Sequence, residues 1–285
     1  MSDSCGGLDL GFLGLSYAKV AALGVVQGIT ELMPISSTAH MRIVPALLGW
    51  PDPGAAFSAA MQAAALLAVL SYFRRDFIGI VGGSLRAAAQ RRFGDKDLKL
   101  ALLVVLATIP IGIAGLALAP ILNACNSPLR SLQAVGVACV VMAGLLALAE
   151  IVARHRRDME KATVLDALLV GLAQVGALIP GVSRSGSTLT AALALGFRRE
   201  EAARFSFLLG APTIALAGAK EFWELHKAHL SAHGWSLLGV GLAVAAVASF
   251  VAIWGLMRVL ERFSAWPFVF YRAALGVVVL AVAFS

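Results

Sequence analysis

Charge is scarce in this sequence. Asp, Glu, Lys and Arg make up 14% of its 285 residues, where a soluble domain averages about 25%. Cysteine is scarcer still: Cys5, Cys125 and Cys139 are the only three, without metal or redox spacing, so neither a disulfide framework nor a zinc site organises the chain. A basic n-region is missing from the opening MSDSCGGLDL, which does not read as a cleaved signal peptide. Alternation of apolar and polar residues is also lacking, which excludes soluble α/β and β-sandwich readings. The net charge of +7 does not point to nucleic acid, because no zinc pattern or stacking-rich basic face accompanies it.

What is present is apolar residue in membrane-sized blocks, 60% of the chain in all. Residues 54–73, 100–122 and 235–257 carry no charge over 20, 23 and 23 residues. Residues 131–153 hold one, Glu150, four before Arg154. Residues 205–219, extended toward Trp223, and 267–284, containing Arg272, complete six spans, since about 20 apolar residues cross a hydrocarbon core. Two further apolar regions are interrupted: 17–49 by QGITELMPISSTAH (27–40) and 162–197 by PGVSRSGST (180–188). Each has an apolar arm, a Pro, a run of hydroxyls and a second short arm. Broken backbone at membrane depth is tolerated only where protein or a water-filled cavity covers it. Both regions therefore read as re-entrant hairpins.

The basic residues are clustered: seven in 74–99, four in 154–161, three in 198–204, and Arg258 and Arg262. Two spans separate the first two clusters, so both lie in the cytoplasm by the positive-inside bias. Every basic stretch then falls on that side, and both termini lie outside. Trp50, Trp223, Trp235 and Trp266 stand near span ends, as interfacial anchors do.

The halves match. Each is a hairpin followed by three spans; AAFS (55–58) recurs as ARFS (203–206), and Gln27 as Gln174. Three spans per half is an odd number, so the repeats are inverted. The expected fold is an all-α integral membrane domain over 1–285. A first repeat (17–153) holds hairpin 17–49 and spans 54–73, 100–122 and 131–153. A second (162–284) holds hairpin 162–197 and spans 205–222, 235–257 and 267–284. Inverted repeats with broken helices place a site where the halves meet, near the midplane.

The polar residues in the hairpins are the candidates. Gln27 and Glu31, four apart, share a helix face, beside Gly24 and Gly28, which permit close helix contact. A carboxylate at membrane depth costs about 2.5–3.5 kcal/mol on insertion scales and needs a partner or a task; an ion pair with Arg42 or Arg184 is the structural alternative. Ser36, Ser37, Thr38 and His40 follow Pro34. SST alone is an ordinary helix cap, but Glu, three hydroxyls and His within ten residues of a membrane segment are not ordinary. In the second hairpin, Gly181 and Gly186 let backbone amides approach a ligand. Ser183, Ser185, Ser187 and Thr188 add hydroxyls at a helix start, and Arg184 a planar fork suited to phosphate. The set suits a phosphate group better than a sugar or a metal alone.

GVVQGITELMPISSTAH (24–40), PGVSRSGST (180–188), FSFLLGAP (205–212) and PFVFYR (267–272) together resemble the undecaprenyl-diphosphate phosphatase family, the bacitracin-resistance proteins of bacterial plasma membranes, along the whole chain. The resemblance implies hydrolysis of undecaprenyl diphosphate to the monophosphate with Mg²⁺ or Ca²⁺ assistance, recycling the carrier lipid for peptidoglycan synthesis. It also implies a polyprenyl diphosphate substrate taken from the membrane, no nucleic acid, and a possible homodimer. Residue by residue, it makes Gln27 and Glu31 the metal-binding acidic pair, Gln27 standing where the family often has Glu and sometimes Gln. Ser37 and His40 become the family's serine and histidine, and Ser183, Arg184 and Thr188 its phosphate binders. We take Glu31, Ser37, His40 and Arg184 as the catalytic set. Ser36, Thr38, Ser183, Arg184, Ser185, Gly186 and Thr188 are taken to surround the phosphate, in a site opening to the outer side. Either Ser37 or a water attacks, and His40 or Glu31 moves the proton. Gln62 stands where relatives tend to carry Gln; Arg42 stands where many are apolar. A prenyl-phosphate transporter or flippase is the rival reading, because the inverted plan is also a transporter plan. A second lipid-phosphatase superfamily is echoed by PISSTAH and SRSGST but lacks its Lys/Arg-Pro element and later His here.

Overall fold

Residues 9–122 and 127–284 are described by a computed structural model; Cys5 and Cys125 fall outside them. Among the described residues the chain forms helices and no strand, only an isolated bridge between Arg157 and Phe197. The helices are α1 (Tyr17–Leu32), α2 (Ser37–Leu47), α3 (Ala55–Tyr72), α4 (Arg74–Ala89), α5 (Lys96–Leu122), α6 (Leu132–Val152), α7 (Val164–Val175), α8 (Arg184–Ala194), α9 (Arg199–Lys227), α10 (Ala232–Arg262) and α11 (Trp266–Phe284).

Helices α3, α5, α6, α9, α10 and α11 are long and apolar enough to cross a membrane, and they coincide with the six predicted spans. The protein is thus an all-helical, multi-pass membrane protein. Their outward faces carry large apolar side chains such as Leu116, Val247 and Phe270, more than half exposed, which lipid rather than water accommodates.

Helix α4 is an addition to the sequence reading, which treated 74–99 as a basic connection. Phe77, Ile80, Gly83 and Ala87 recur at helical spacing and give the segment one face toward the protein. Gly83 lies so close to Asp97 that a Cβ there would meet its carboxylate at 2.1 Å. Arg204 of α9 is ion-paired to Asp76 in the first turn of α4, tying this element to the bundle.

Two helix pairs, α1–α2 and α7–α8, are each broken at the hairpin motif. Pro34 follows the end of α1, and Pro180 lies between the short turn Gly176–Leu178 and α8; neither can supply the amide that a continuous helix needs. A serine in left-handed backbone restarts each helix: Ser36 at φ 71° and Ser183 at φ 67°. Each caps its helix, Ser36 Oγ accepting from the Ala39 amide at 3.4 Å and Ser183 Oγ from the Gly186 amide at 3.2 Å. A non-glycine residue at positive φ costs on the order of 1–3 kcal/mol and persists only where its surroundings hold it.

Packing across the halves is reciprocal. The first arm α1 lies on α10, and its counterpart α7 lies on α5; α3 meets α9, and α6 meets α11. Small residues set these approaches. A Cβ on Gly24 would meet the Gly241 carbonyl at 2.8 Å, on Gly28 the Ala245 carbonyl at 2.5 Å, and on Gly171 the Ala107 carbonyl at 2.5 Å. The Gly24–Gly28 pair therefore does what its spacing predicts. This packing brings the two broken turns together.

Candidate active site

Glu31 lies at the centre of the joined turns. It is 7% exposed and held by three donors. Gln27 Nε2 donates to Oε2 at 2.9 Å and Ser37 Oγ donates to the same oxygen at 2.6 Å. From the other half, Arg184 Nη2 donates to Oε1 at 2.8 Å. The first pair follows from the i,i+4 spacing on α1. The second arises because the Pro34 break folds the start of α2 back over the end of α1.

The Glu31–Arg184 pair crosses the two halves with little solvent on either side chain, 6% and 14% exposed. Both structural readings of Glu31 named an arginine, and Arg184, not Arg42, is its partner. Taking two charges out of water costs several kcal/mol each, and the pair compensates this only with good geometry and further hydrogen bonds. A second guanidinium nitrogen, Nη1, donates to the Gly210 carbonyl at 3.4 Å. Gly210 belongs to FSFLLGAP.

The remaining hydroxyls of the two motifs divide by where they point. Ser185 Oγ donates to the Glu31 and Met33 carbonyls at 3.2 and 3.0 Å, pinning one turn to the other. Thr188 is fully buried, donating to the Arg184 carbonyl at 2.8 Å and bonded to Ser206 Oγ at 2.5 Å. Ser187 donates to the same Arg184 carbonyl at 3.0 Å. Ser36 and Ser183 serve as caps. Thr38 is exposed and looks into a neighbouring polar cavity. Of the expected site residues, Gln27, Glu31, Ser37 and Arg184 are drawn into one cluster, Arg184 alone coming from the phosphate set. Ser185, Thr188 and the two capping serines bond to backbone or to other hydroxyls.

Both ring nitrogens of His40 are engaged by partners other than Ser37. Nδ1 lies 2.8 Å from the Ser36 carbonyl and Nε2 2.6 Å from the Tyr271 hydroxyl. A carbonyl only accepts, so Nδ1 carries a proton and Nε2 receives the Tyr271 O–H when the ring is neutral. The two rings stack, 3° from parallel.

Sequence reasoning missed the task of Arg272. Its side chain is fully buried. Nη1 donates to the Pro34 carbonyl at 3.0 Å, and Nη2 donates to the Gly181 carbonyl at 2.7 Å and to that of Val182. One guanidinium thus clamps both broken turns by the carbonyls that the breaks release. The space is tight: a Cβ on Gly186 would meet Nη1 at 2.4 Å, so a side chain there would push the guanidinium from its place. A charged residue inside an otherwise apolar span was the available signal. Ser206, in ARFS, and Tyr271, in PFVFYR, are further omissions.

Gln27 and Gln174, the repeated glutamines, are both buried, with Gln174 fully so. Each leaves one amide atom unpartnered among the described residues, Oε1 of Gln27 and Nε2 of Gln174. Gln27 thus presents an uncommitted oxygen beside the Glu31 carboxylate.

A cluster of carboxylate, hydroxyl and guanidinium of this kind can bind an anion and take a proton from the hydroxyl. Comparison with known proteins gives the family. A family model described as "Bacitracin resistance protein BacA" matches residues 20–278. The chain belongs to this family. It is 71% identical over 255 residues to a protein of Mesorhizobium japonicum named "Undecaprenyl-diphosphatase 2", covering 90% of this chain and 97% of that one. It is 49% identical over 262 residues to the "Undecaprenyl-diphosphatase" of Gloeobacter violaceus, covering 92% and 90%. A third, from Trichormus variabilis and also named "Undecaprenyl-diphosphatase", is 46% identical over 267 residues, covering 93% and 83%. All the motifs discussed fall inside the family match.

Proposed function

We propose that this protein hydrolyses undecaprenyl diphosphate to undecaprenyl phosphate and inorganic phosphate, recycling the carrier lipid for peptidoglycan synthesis and conferring bacitracin resistance. The observation that carries the reading is the Glu31 carboxylate held between a hydroxyl of its own half and an arginine of the other, in a chain whose family relatives are named for this reaction.

Ser37 is the nucleophile in this reading. Its Oγ attacks the terminal phosphorus as its proton passes to Glu31, 2.6 Å away. The bond from phosphorus to the bridging oxygen breaks, and prenyl phosphate leaves with the electron pair. Water then attacks the phosphoserine, Ser37 regains a proton, and phosphate departs. Glu31 rather than His40 is the base, because His40 is already engaged by the Ser36 carbonyl and Tyr271. Arg184 exchanges its hold on Glu31 for the oxygens of the terminal phosphate, where a planar fork matches the geometry. Positioning and charge neutralisation supply most of the rate in phosphoryl transfer. His40 and Tyr271 hold the turn around Ser36, and Arg272 fixes the two turns relative to each other.

A divalent cation fits the donors in one way. Gln27 Oε1 is an uncommitted hard oxygen beside Glu31. Gln27 and Glu31 would hold Mg²⁺ or Ca²⁺ through hard oxygens. When bound, the cation would neutralise charge on the diphosphate.

The topology we propose has α1–α2 and α7–α8 as re-entrant hairpins in inverted repeats over 17–153 and 162–284. In this topology the basic stretches are cytoplasmic, both termini lie outside and the site opens outward in the bacterial plasma membrane. The reciprocal packing of α1 on α10 and α7 on α5 supports it. The test is phosphate release from a prenyl diphosphate by the purified protein, with and without a chelator. Turnover suppressed by chelator and restored by Mg²⁺ or Ca²⁺ is expected. Lipid movement across vesicles without phosphate release would replace the reading with the transporter one.

A further inference from the structure

Arg42 has no place in the chemistry above, yet it lies one helical turn beyond Thr38 on α2. It lines a cavity of about 330 Å³ that reaches both motifs: Thr38, next in sequence to Ser37, and Pro180, first residue of the second motif, stand in its wall. Arg130 lines the same cavity, with Gln62 and Ser58 of α3 opposite. Arg42 Nη1 donates to the Arg130 carbonyl, which ties α2 to the turn before α6. Among the described residues neither guanidinium has a carboxylate within ion-pair reach. Two acids also line the cavity: Asp52 accepts from the Gly54 amide at 2.8 Å and Asp9 from the Gly11 amide at 3.3 Å, and neither is within ion-pair distance of Arg42 or Arg130 among the described residues. Two guanidinium groups with most of their donors uncommitted, beside a hydroxyl and an amide, form a site whose missing partner is an anion with several oxygens.

We propose that Arg42 and Arg130 make this antechamber a second phosphate subsite, next to but separate from the Glu31–Arg184 cluster. The inference rests on the reading that the broken turns handle a phosphate group. The chemistry admits two sources: inorganic phosphate leaving after hydrolysis, or the diphosphate headgroup before it reaches Ser37. Thr38 and Gln62 serve this subsite as neutral donors.

The experiment measures ³¹P line broadening of inorganic phosphate by the detergent-solubilised protein, beside KM for a prenyl diphosphate. The variants are Arg184→Ala, Arg42→Gln, Arg130→Gln and the Arg42→Gln/Arg130→Gln double variant. Glutamine at 42 keeps a donor for the Arg130 carbonyl, and substitution at 130 leaves that carbonyl in place. Size exclusion confirms that each variant is folded. Arg184→Ala should still broaden the signal, and the double variant should weaken phosphate binding about tenfold, as loss of charge-assisted bonds does. Unchanged phosphate binding with a KM raised about tenfold would assign the subsite to the lipid headgroup. No change in either quantity in the double variant would overturn the proposal, as would complete loss of broadening in Arg184→Ala. Full turnover by Arg184→Ala would instead strike the underlying reading, whatever the phosphate signal showed.

Discussion

The two broken helix pairs begin from the same plan and end with different duties. In α1–α2 the polar groups are turned toward one another at the junction: Gln27, Glu31 and Ser37 form a chain of hydrogen bonds ending on a single carboxylate oxygen. In α7–α8 Arg184 reaches across to the Glu31 carboxylate, and the other polar side chains serve the backbone. Ser183 caps a helix, Ser185 pins the opposite turn, and Thr188 bonds to Ser206 behind the site. A repeated backbone device, a proline break restarted by a left-handed serine, thus supports a carboxylate–hydroxyl cluster in one pair and an arginine with its scaffold in the other. In the proposed mechanism hydroxyl density does not identify the nucleophile; the partner does. Ser37 donates to a carboxylate, whereas the hydroxyls of 185, 187 and 188 donate to carbonyls.

Substitutions can break this contrast at several points. The largest effect is expected from Glu31→Gln, which removes the base and half of the ion pair. Phosphate release per folded protein should fall on the order of a thousandfold, within the range of general-base loss. The Glu31→Gln/Ser37→Ala double variant should be little worse than either single one, because residues acting as a unit are not additive. Turnover near wild type in Glu31→Gln would leave the carboxylate a structural partner of Arg184.

Arg184→Ala should lose about a hundredfold or more, the consequence of a lost charge-assisted bond to phosphate. Arg184→Lys should also lose much of the activity, because a point donor does not replace the fork. Full activity in the lysine variant would reduce the second pair's contribution to generic charge.

Arg272→Met separates grip from scaffold. It strips the Pro34, Gly181 and Val182 carbonyls of their shared donor, and each buried group left unsatisfied costs about 1–3 kcal/mol. Thermal stability in detergent should drop by several degrees together with kcat, whereas Arg184→Lys, which keeps a positive charge beside Glu31, should change the melting temperature far less. A stable, active Arg272→Met protein would show that the turns hold their places without the clamp.

The smallest effects should come from Tyr271→Phe and Thr188→Ser. Removing the phenol leaves His40 with its Ser36 bond, so kcat should fall less than about tenfold. Serine at 188 keeps the hydroxyl and loses a methyl, and activity should stay within a few-fold. A Thr188→Ser loss as large as that of Arg184→Ala would move Thr188 from the scaffold to the phosphate.

How far the sequence could be read follows from which forces leave marks along it. Span length is such a mark: the apolar runs over 54–73, 100–122 and 235–257 became α3, α5 and the middle of α10 because hydrocarbon thickness fixes their extent. Intramembrane charge is another, and it pointed to Glu31 and Arg184, which are bonded across the halves. Helix α4 was obscured because its apolar face is short, interrupted by glycines and flanked by Arg74, Arg75 and Arg86. The direction of each hydroxyl in SRSGST was not legible, since spacing does not state whether a side chain bonds back to its own helix. Arg272 was visible as a charge in a span, but its partners lie 238 and 91 residues away in the chain, and nothing local announces them. Tyr271 reaches His40 across a similar separation.

The central claim is that Glu31 activates Ser37 for attack on a phosphate held by Arg184. The most direct measurement is an acid quench within the first turnover of a prenyl diphosphate carrying ³²P in its terminal phosphate, followed by mapping of label on the protein. The account predicts label on Ser37 in the wild type and none in Ser37→Ala or Glu31→Gln, both of which should also release little phosphate. Hydrolysis by Ser37→Ala at the wild-type rate, with no label on the protein, would contradict it.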